Sequence, residues 1–300
     1  MTVFFADLPR HAFLQYALVT GLLVSLACGV IGTYVVTRRI SYIAGGISHS
    51  VLGGMGAAFF VRAVLGWEGV RPLHGAVAAA LVSALVIGLV SLRGKEREDT
   101  VISAIWAIGM ALGVIFIART PGYAEELMGY LFGNILMISP REIELVAALD
   151  LAVLATVALF YHQFQAVCFD EEFARLRGLR ADLYYLLLLA LTALTVVLLV
   201  TAVGVVMVIA LLTLPAAVAG LFARSMWRMM LLSVILCALI TSFGLAASYG
   251  PDLPAGATIV VSAGAVYLAA LVWRRFAAAF RTGTAGASAA RPVDSARVTD

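Results

Sequence analysis

Charge is distributed along this chain in a way that leaves few folds open to it. Clusters of arginine and acidic residues alternate with long stretches that hold no Asp, Glu, Lys or Arg at all. Such stretches run over 12–37, 40–61, 73–92, 101–118, 229–251 and 253–273, and 183–223 is charge-free and long enough for two crossings. A helix needs ~20 apolar residues to cross the ~30 Å hydrocarbon core of a bilayer. With 63% hydrophobic and 12% charged residues, the chain has too little charge to clothe a water-soluble body of 300 residues. It reads as an all-α, polytopic membrane helical bundle.

Nine spans are expected, at 12–37, 40–61, 73–92, 101–118, 143–164, 183–202, 205–223, 229–249 and 255–273. Gly204 must turn the chain almost alone between two of them. A broken or re-entrant helix there gives eight spans plus a re-entrant element instead. Placing the loop after the first span inside collects fifteen basic residues on the inner side and leaves Arg10, Arg62, Arg71, Arg119 and Arg141 outside. That bias sets the N-terminus outside and the C-terminus in the cytoplasm. Residues 1–281 form one membrane domain. Residues 282–300, rich in Ala, Gly, Ser and Thr, read as a disordered tail. The apolar segment 127–138 is too short to span and is either interfacial or re-entrant on the outer side. No cleavable signal peptide is evident. Cys28, Cys168 and Cys237 show no CxxC pairing. The basic residues sit at span ends and form no stripe, which argues against nucleic acid.

The second span stands apart. On a helix, Gly46, Ser50, Gly54 and Ala58 fall in one i, i+4 row, and Gly45, His49, Gly53 and Ala57 in the next. Small residues in such rows let helices approach closely in lipid. His49 lies on this packing face, ten residues past Arg39 and so ~15 Å along the helix, near the bilayer midplane. An ionisable group there is either a path residue, since imidazole binds most first-row metals, or a histidine bonded to a neighbouring helix. Asp150, the one carboxylate well inside a span, is either a second cation ligand or a partner for a polar group on another helix. His74 and His162 sit at span ends, where a wetted histidine is ordinary.

The segment 168–182 has Asp170, Glu171 and Glu172 early and Arg175, Arg177 and Arg180 late, as a helix dipole favours. Phe169, Phe173 and Leu176 give it one apolar face, which suits a soluble partner or the lipid surface. Glu172, Ala174 and Gly178 match the E-A-A-x-x-x-G spacing of an ABC importer coupling loop, with Phe173 departing at the second position. The chain has no GxxxxGK[ST] loop, HExxH or GxSxG, so it carries no nucleotide site or hydrolase centre of those kinds.

Four segments together resemble the permease subunits of the ABC importers for zinc, manganese and iron(II). Arg38-Arg39-Ile40-Ser41-Tyr42 with Ile47-Ser48-His49-Ser50 is similar to the family's RRxSxxGDAxSHS signature. Leu131 to Leu136 resembles its LFGxIL stretch, and Asp170 to Gly178 its coupling segment. Gly204 to Ala217, with Leu253 to Val260, resembles its late VGxLL…PAA and PxGxxIV motifs. The resemblance implies a multi-pass subunit of a bacterial inner membrane that is not itself an enzyme. Its implied partners are a cytoplasmic ABC ATPase, an extracytoplasmic metal-binding protein, a second copy of itself and membrane lipid. It implies no tightly bound cofactor; the metal ion is cargo. It also assigns metal contact to His49, and ATPase coupling to Asp170, Glu171, Glu172, Ala174 and Gly178. The family's acid falls at Gly45, so one ligand of the pair is missing here, and Asp150 is a candidate replacement. The competing readings are a gradient-driven cation carrier, against which no duplicated halves are seen, and an intramembrane enzyme, for which one His and one Asp are few.

Overall fold

The computed structural model describes residues 2–94, 97–120, 133 and 135–289. Among the described residues all regular structure is helical. In chain order the helices are α1 (Thr2–Asp7), α2 (Ala12–Thr37), α3 (Ser41–Val64), α4 (Pro72–Arg93) and α5 (Glu98–Ala118). A 3₁₀ turn, Ile135–Met137, precedes α6 (Pro140–Leu159), α7 (Tyr161–Phe169), α8 (Glu171–Leu176) and α9 (Ala181–Val203). The chain closes with α10 (Val205–Phe222), α11 (Met226–Tyr249) and α12 (Ala255–Ala289). Eight of these, α2–α5, α9–α11 and the Ala255–Phe276 part of α12, are long and apolar enough to cross a membrane singly.

The ninth expected span is not one straight helix. α6 and α7 pass the same test only together, and they meet at an angle of 72°. The break is Phe160, whose φ of −110° and ψ of 21° are not helical. Its ring packs on Phe164 and Tyr184, and Phe164 in turn packs on Tyr34 of α2. This aromatic cluster replaces the helical continuation that the sequence pattern suggests. At the other end, Ser139 caps α6 in a capping box with Glu142, with Pro140 in the first turn.

α9 is the central helix, with Leu188, Leu189, Val196, Leu198 and Leu199 fully or almost fully buried. Its uncharged circumference suits a position surrounded by α2, α3, α4 and α6. Gly204 joins α9 to α10 with no loop, at φ 82° and ψ 159°. The joint is itself buried, because Gly133, also at positive φ, packs against the backbone of Val203 and Gly204. α10 then runs away from that joint, so that Leu212 and Ala216 meet Gly32 near the Thr37 end of α2. Two separate helices therefore stand where a turn at Gly204 was expected. The segment 127–138 lies outside the described residues except for Gly133 and 135–138. The stretch 282–289, read as disordered from composition, continues α12; residues 290–300 lie outside the described residues.

Candidate functional site

α3 is held by its small residues on two sides. Toward α4, a Cβ on Gly54 would lie 2.6 Å from the Ala79 Cβ, and one on Gly75 would lie 2.8 Å from that of Ala58. In the same row Ser50 accepts a hydrogen bond from Ser83 of α4 at 2.8 Å. Toward α5, a Cβ on Gly53 would lie 2.7 Å from the Gly109 carbonyl oxygen, and one on Gly46 would meet the Ile102 Cγ2 at 2.7 Å. These separations leave no room for a side chain, so backbone packs on backbone.

His49 faces α5 within this seam. Its ring stacks on Trp106, with centroids 4.3 Å apart and planes 13° from parallel. Its Nδ1 is buried and has no hydrogen-bond partner. The second expectation for this histidine, a bond to a neighbouring helix, therefore fails at that atom. One turn earlier, a Cβ on Gly45 would rest 3.4 Å from Trp106 Cζ3 and 4.0 Å from Ile209 Cδ1. The space beside Gly45 is occupied by an indole and an isoleucine.

Asp150 is not part of this site. It is 2% exposed and lies on α6, which packs chiefly on α2 and α9. Cys28 of α2, which meets Cys237 of α11, lies in the same part of the bundle. Neither carboxylate oxygen has a hydrogen-bond partner, and Thr20, Thr195 and Thr241 hold further unpartnered buried hydroxyls. Among the described residues no group of three or more His, Cys, Asp or Glu side chains is placed to hold a metal ion. His49 faces α5, whereas Asp150, the candidate replacement for the missing acid, lies on a helix that packs chiefly on α2 and α9.

The segment 168–182 gathers at one end of the bundle. Asp170 caps α8 by accepting the Phe173 N–H at 2.9 Å. Glu171 is a hub: it pairs with Arg38 and, at 2.6 Å, with Arg175, which also pairs with Asp182 at 2.6 Å. Arg38 further donates to the Val167 carbonyl at 3.0 Å and lies over the Tyr185 ring, 5.2 Å from its centroid. Arg38 is the C-cap of α2 and is followed by Arg39 at φ 62°, which turns the chain into α3. Thus one side chain ties the α2–α3 corner to α7, α8 and α9. Glu172 is exposed, Ala174 is buried against the bundle, and Gly178 ends the segment at φ 81° with open space around it. Phe169, Phe173 and Leu176 are 66%, 51% and 86% exposed.

At the opposite end a cavity of about 430 Å³ is lined by Arg62, Arg71, Arg141 and Glu142, together with Met55 and Val146. Sequence reasoning missed two residues here. Arg38 was noted only as part of a motif, and Trp106 not at all. A lone tryptophan in the middle of an apolar stretch was the available signal for the latter.

A family model, the ABC 3 transport family, matches residues 10–274. An uncharacterized membrane protein of Synechocystis sp. is 41% identical over 266 residues, which is 89% of this chain and 92% of that protein. A probable metal transport system membrane protein of Chlamydia trachomatis is 39% identical over 251 residues, 84% of this chain and 85% of its own. The solved structure of PsaBC from Streptococcus pneumoniae in complex with Fab superposes with a TM-score of 0.80 at 30% identity. It covers 90% of this chain and 94% of that one. The glycine-seamed bundle, its coupling segment and the family match over nearly the whole chain agree: this protein belongs to the ABC 3 transport family.

Proposed function

We propose that the chain is the membrane subunit of an ATP-driven importer for a divalent transition-metal ion, and that His49 is its path residue. The relatives named for metal transport support the cargo class. The observation that carries the ATP-driven reading is the Arg38 end. There an exposed apolar face on α8 is keyed through Glu171 and Arg38 to the corner that leads into α3. A separate ATPase would dock on Phe169, Phe173 and Leu176. A displacement of α8 would reach the base of the helix that carries His49.

Positive-inside bias supports placing this end in the cytoplasm, with the N-terminus outside. The arginine-lined cavity then opens outward. Its three guanidinium groups outnumber the one carboxylate of Glu142, which is held by Ser139, and suit carboxylates on a capture protein that delivers the metal. A second copy of the chain would complete the path. Transient binding by one or two ligands lets an ion enter and leave, whereas a closed four-ligand cage would hold it. No observation favours the gradient-driven alternative. Metal uptake measured with and without the partner ATPase tests the reading: uptake that ignores the ATPase and collapses with a proton ionophore would replace it.

A further inference from the structure

A tryptophan within an apolar span is free to face lipid, but Trp106 turns inward. Its indole lies nearly parallel to the imidazole of His49, at 4.3 Å, with the Tyr42 ring 6.0 Å away. Tyr42 is itself fixed to α5 through a hydrogen bond between its hydroxyl and that of Ser103. The same indole bounds the space at Gly45, one helical turn before His49, at 3.4 Å and 3.9 Å from a Cβ placed there. Ile209 of α10 bounds it at 4.0 Å. An alanine methyl fits those separations. A carboxylate extends past them and needs the indole or the isoleucine to move.

We propose that Trp106 is a positioning and specificity residue: it holds the plane of the His49 imidazole and fills the place beside Gly45 where an oxygen ligand would stand. The site thereby takes a zinc-class cation through nitrogen and disfavours manganese. This inference rests on the reading of His49 as a path residue.

The chemistry follows from ligand preference. Imidazole suits zinc, copper, iron and nickel, whereas manganese depends more on carboxylate, carbonyl and water oxygens. Excluding an acid from the Gly45 position removes the oxygen ligand nearest to His49 and leaves the nitrogen. Stacking acts in the same direction. A metal bound to an imidazole nitrogen draws electron density from the ring. The indole face, the strongest side-chain partner for positive charge, supports the loaded ring more than the empty one. The stack covers a ring face, and a metal binds a ring nitrogen in the plane, so the two contacts do not compete.

The test uses the full chain with its partner ATPase. In one arm, read on the purified full chain before the ATPase is added, Trp67, Trp227 and Trp273 are changed to Phe, so that Trp106 is the only indole of the chain. Zinc chloride should shift the Trp106 emission along a saturating curve that His49→Ala abolishes. Manganese chloride should need at least about tenfold higher concentration. In a second arm, zinc and manganese uptake are measured in competition. Gly45→Asp combined with Trp106→Ala should narrow the zinc preference by about tenfold or more, and Trp106→Phe, which keeps a ring in place, should largely preserve it. An unmoved ratio in the double variant, or a Trp106 emission indifferent to zinc at concentrations that saturate uptake, would overturn the proposal. If His49→Ala leaves uptake intact, the path reading itself has failed. If His49→Ala abolishes uptake while Gly45→Asp with Trp106→Ala leaves the ratio unmoved, only the specificity proposal has.

Discussion

His49 and Asp150 are both ionisable side chains within spanning helices, yet their surroundings differ in kind. His49 is half-buried in a seam of glycines between α3 and α5, with one ring face against Trp106 and Nδ1 unpartnered. Asp150 is sealed at 2% exposure among α2 and α9, near two thiols and several idle hydroxyls. Neither oxygen of this carboxylate has a hydrogen-bond partner, and an unpaired ion in a bilayer interior costs several kcal/mol. Burial of an ionisable group alone does not say what the group is for; the side chains around it must be read as well.

The contrast can be broken at four points. The largest effect should come from the other side of α3, where its small residues clamp it to α4. Gly54→Val must force α3 from α4, since even a Cβ there collides with Ala79. Overpacking of this kind costs about 1–3 kcal/mol or more, and thermal unfolding in detergent should show a clear fall in midpoint together with loss of uptake. An unchanged midpoint would mean that the two helices are not clamped.

Next comes the ionic link at the other end of α3. Arg38→Gln should lower metal uptake by about tenfold while ATPase binding persists, because a buried-edge ion pair and a backbone hydrogen bond are lost together. Arg38→Glu with Glu171→Arg should recover part of that loss, and no recovery would argue against the pairing.

Gly178 should matter less. Its φ of 81° suits only a residue without a Cβ penalty, and there is open space around it. Gly178→Ala should destabilise the segment by about 1–2 kcal/mol, seen as faster hydrogen exchange across α8 and weaker ATPase co-purification. The harsher Gly178→Pro should uncouple the ATPase altogether, since proline fixes φ near −65°.

The smallest effect is expected at Asp150. Asp150→Asn should leave metal uptake within about twofold of the parent, because the carboxylate makes no hydrogen bond that the amide would lose. A collapse of uptake would move Asp150 onto the path and dissolve the contrast with His49.

The spans were legible because charge-free length reports directly on hydrocarbon thickness, and the small-residue rows of α3 were legible because 3.6-residue periodicity places them on one face. The bend between α6 and α7 was not, because its cause is an aromatic cluster that joins Phe160 and Phe164 to Tyr34 and Tyr184 from distant helices. Nor was the separation of His49 from Asp150, since depth along two helices says nothing about which neighbours those helices choose. The missing acid at Gly45 became intelligible only when Trp106, far off in sequence, was found in its space. Nor was it legible that Asp170, expected to take part in ATPase coupling, caps α8, or that Glu171 carries the link to the bundle.

The most direct measurement is uptake of radiolabelled zinc, manganese and iron(II) into cells that lack their own high-affinity importers. The chain is expressed with and without its partner ATPase, and as the parent or His49→Ala. Uptake that requires the ATPase and is lost in His49→Ala is the expected result. Undiminished uptake in His49→Ala, at equal protein in the membrane, would contradict the assignment of the path to the α3–α5 seam.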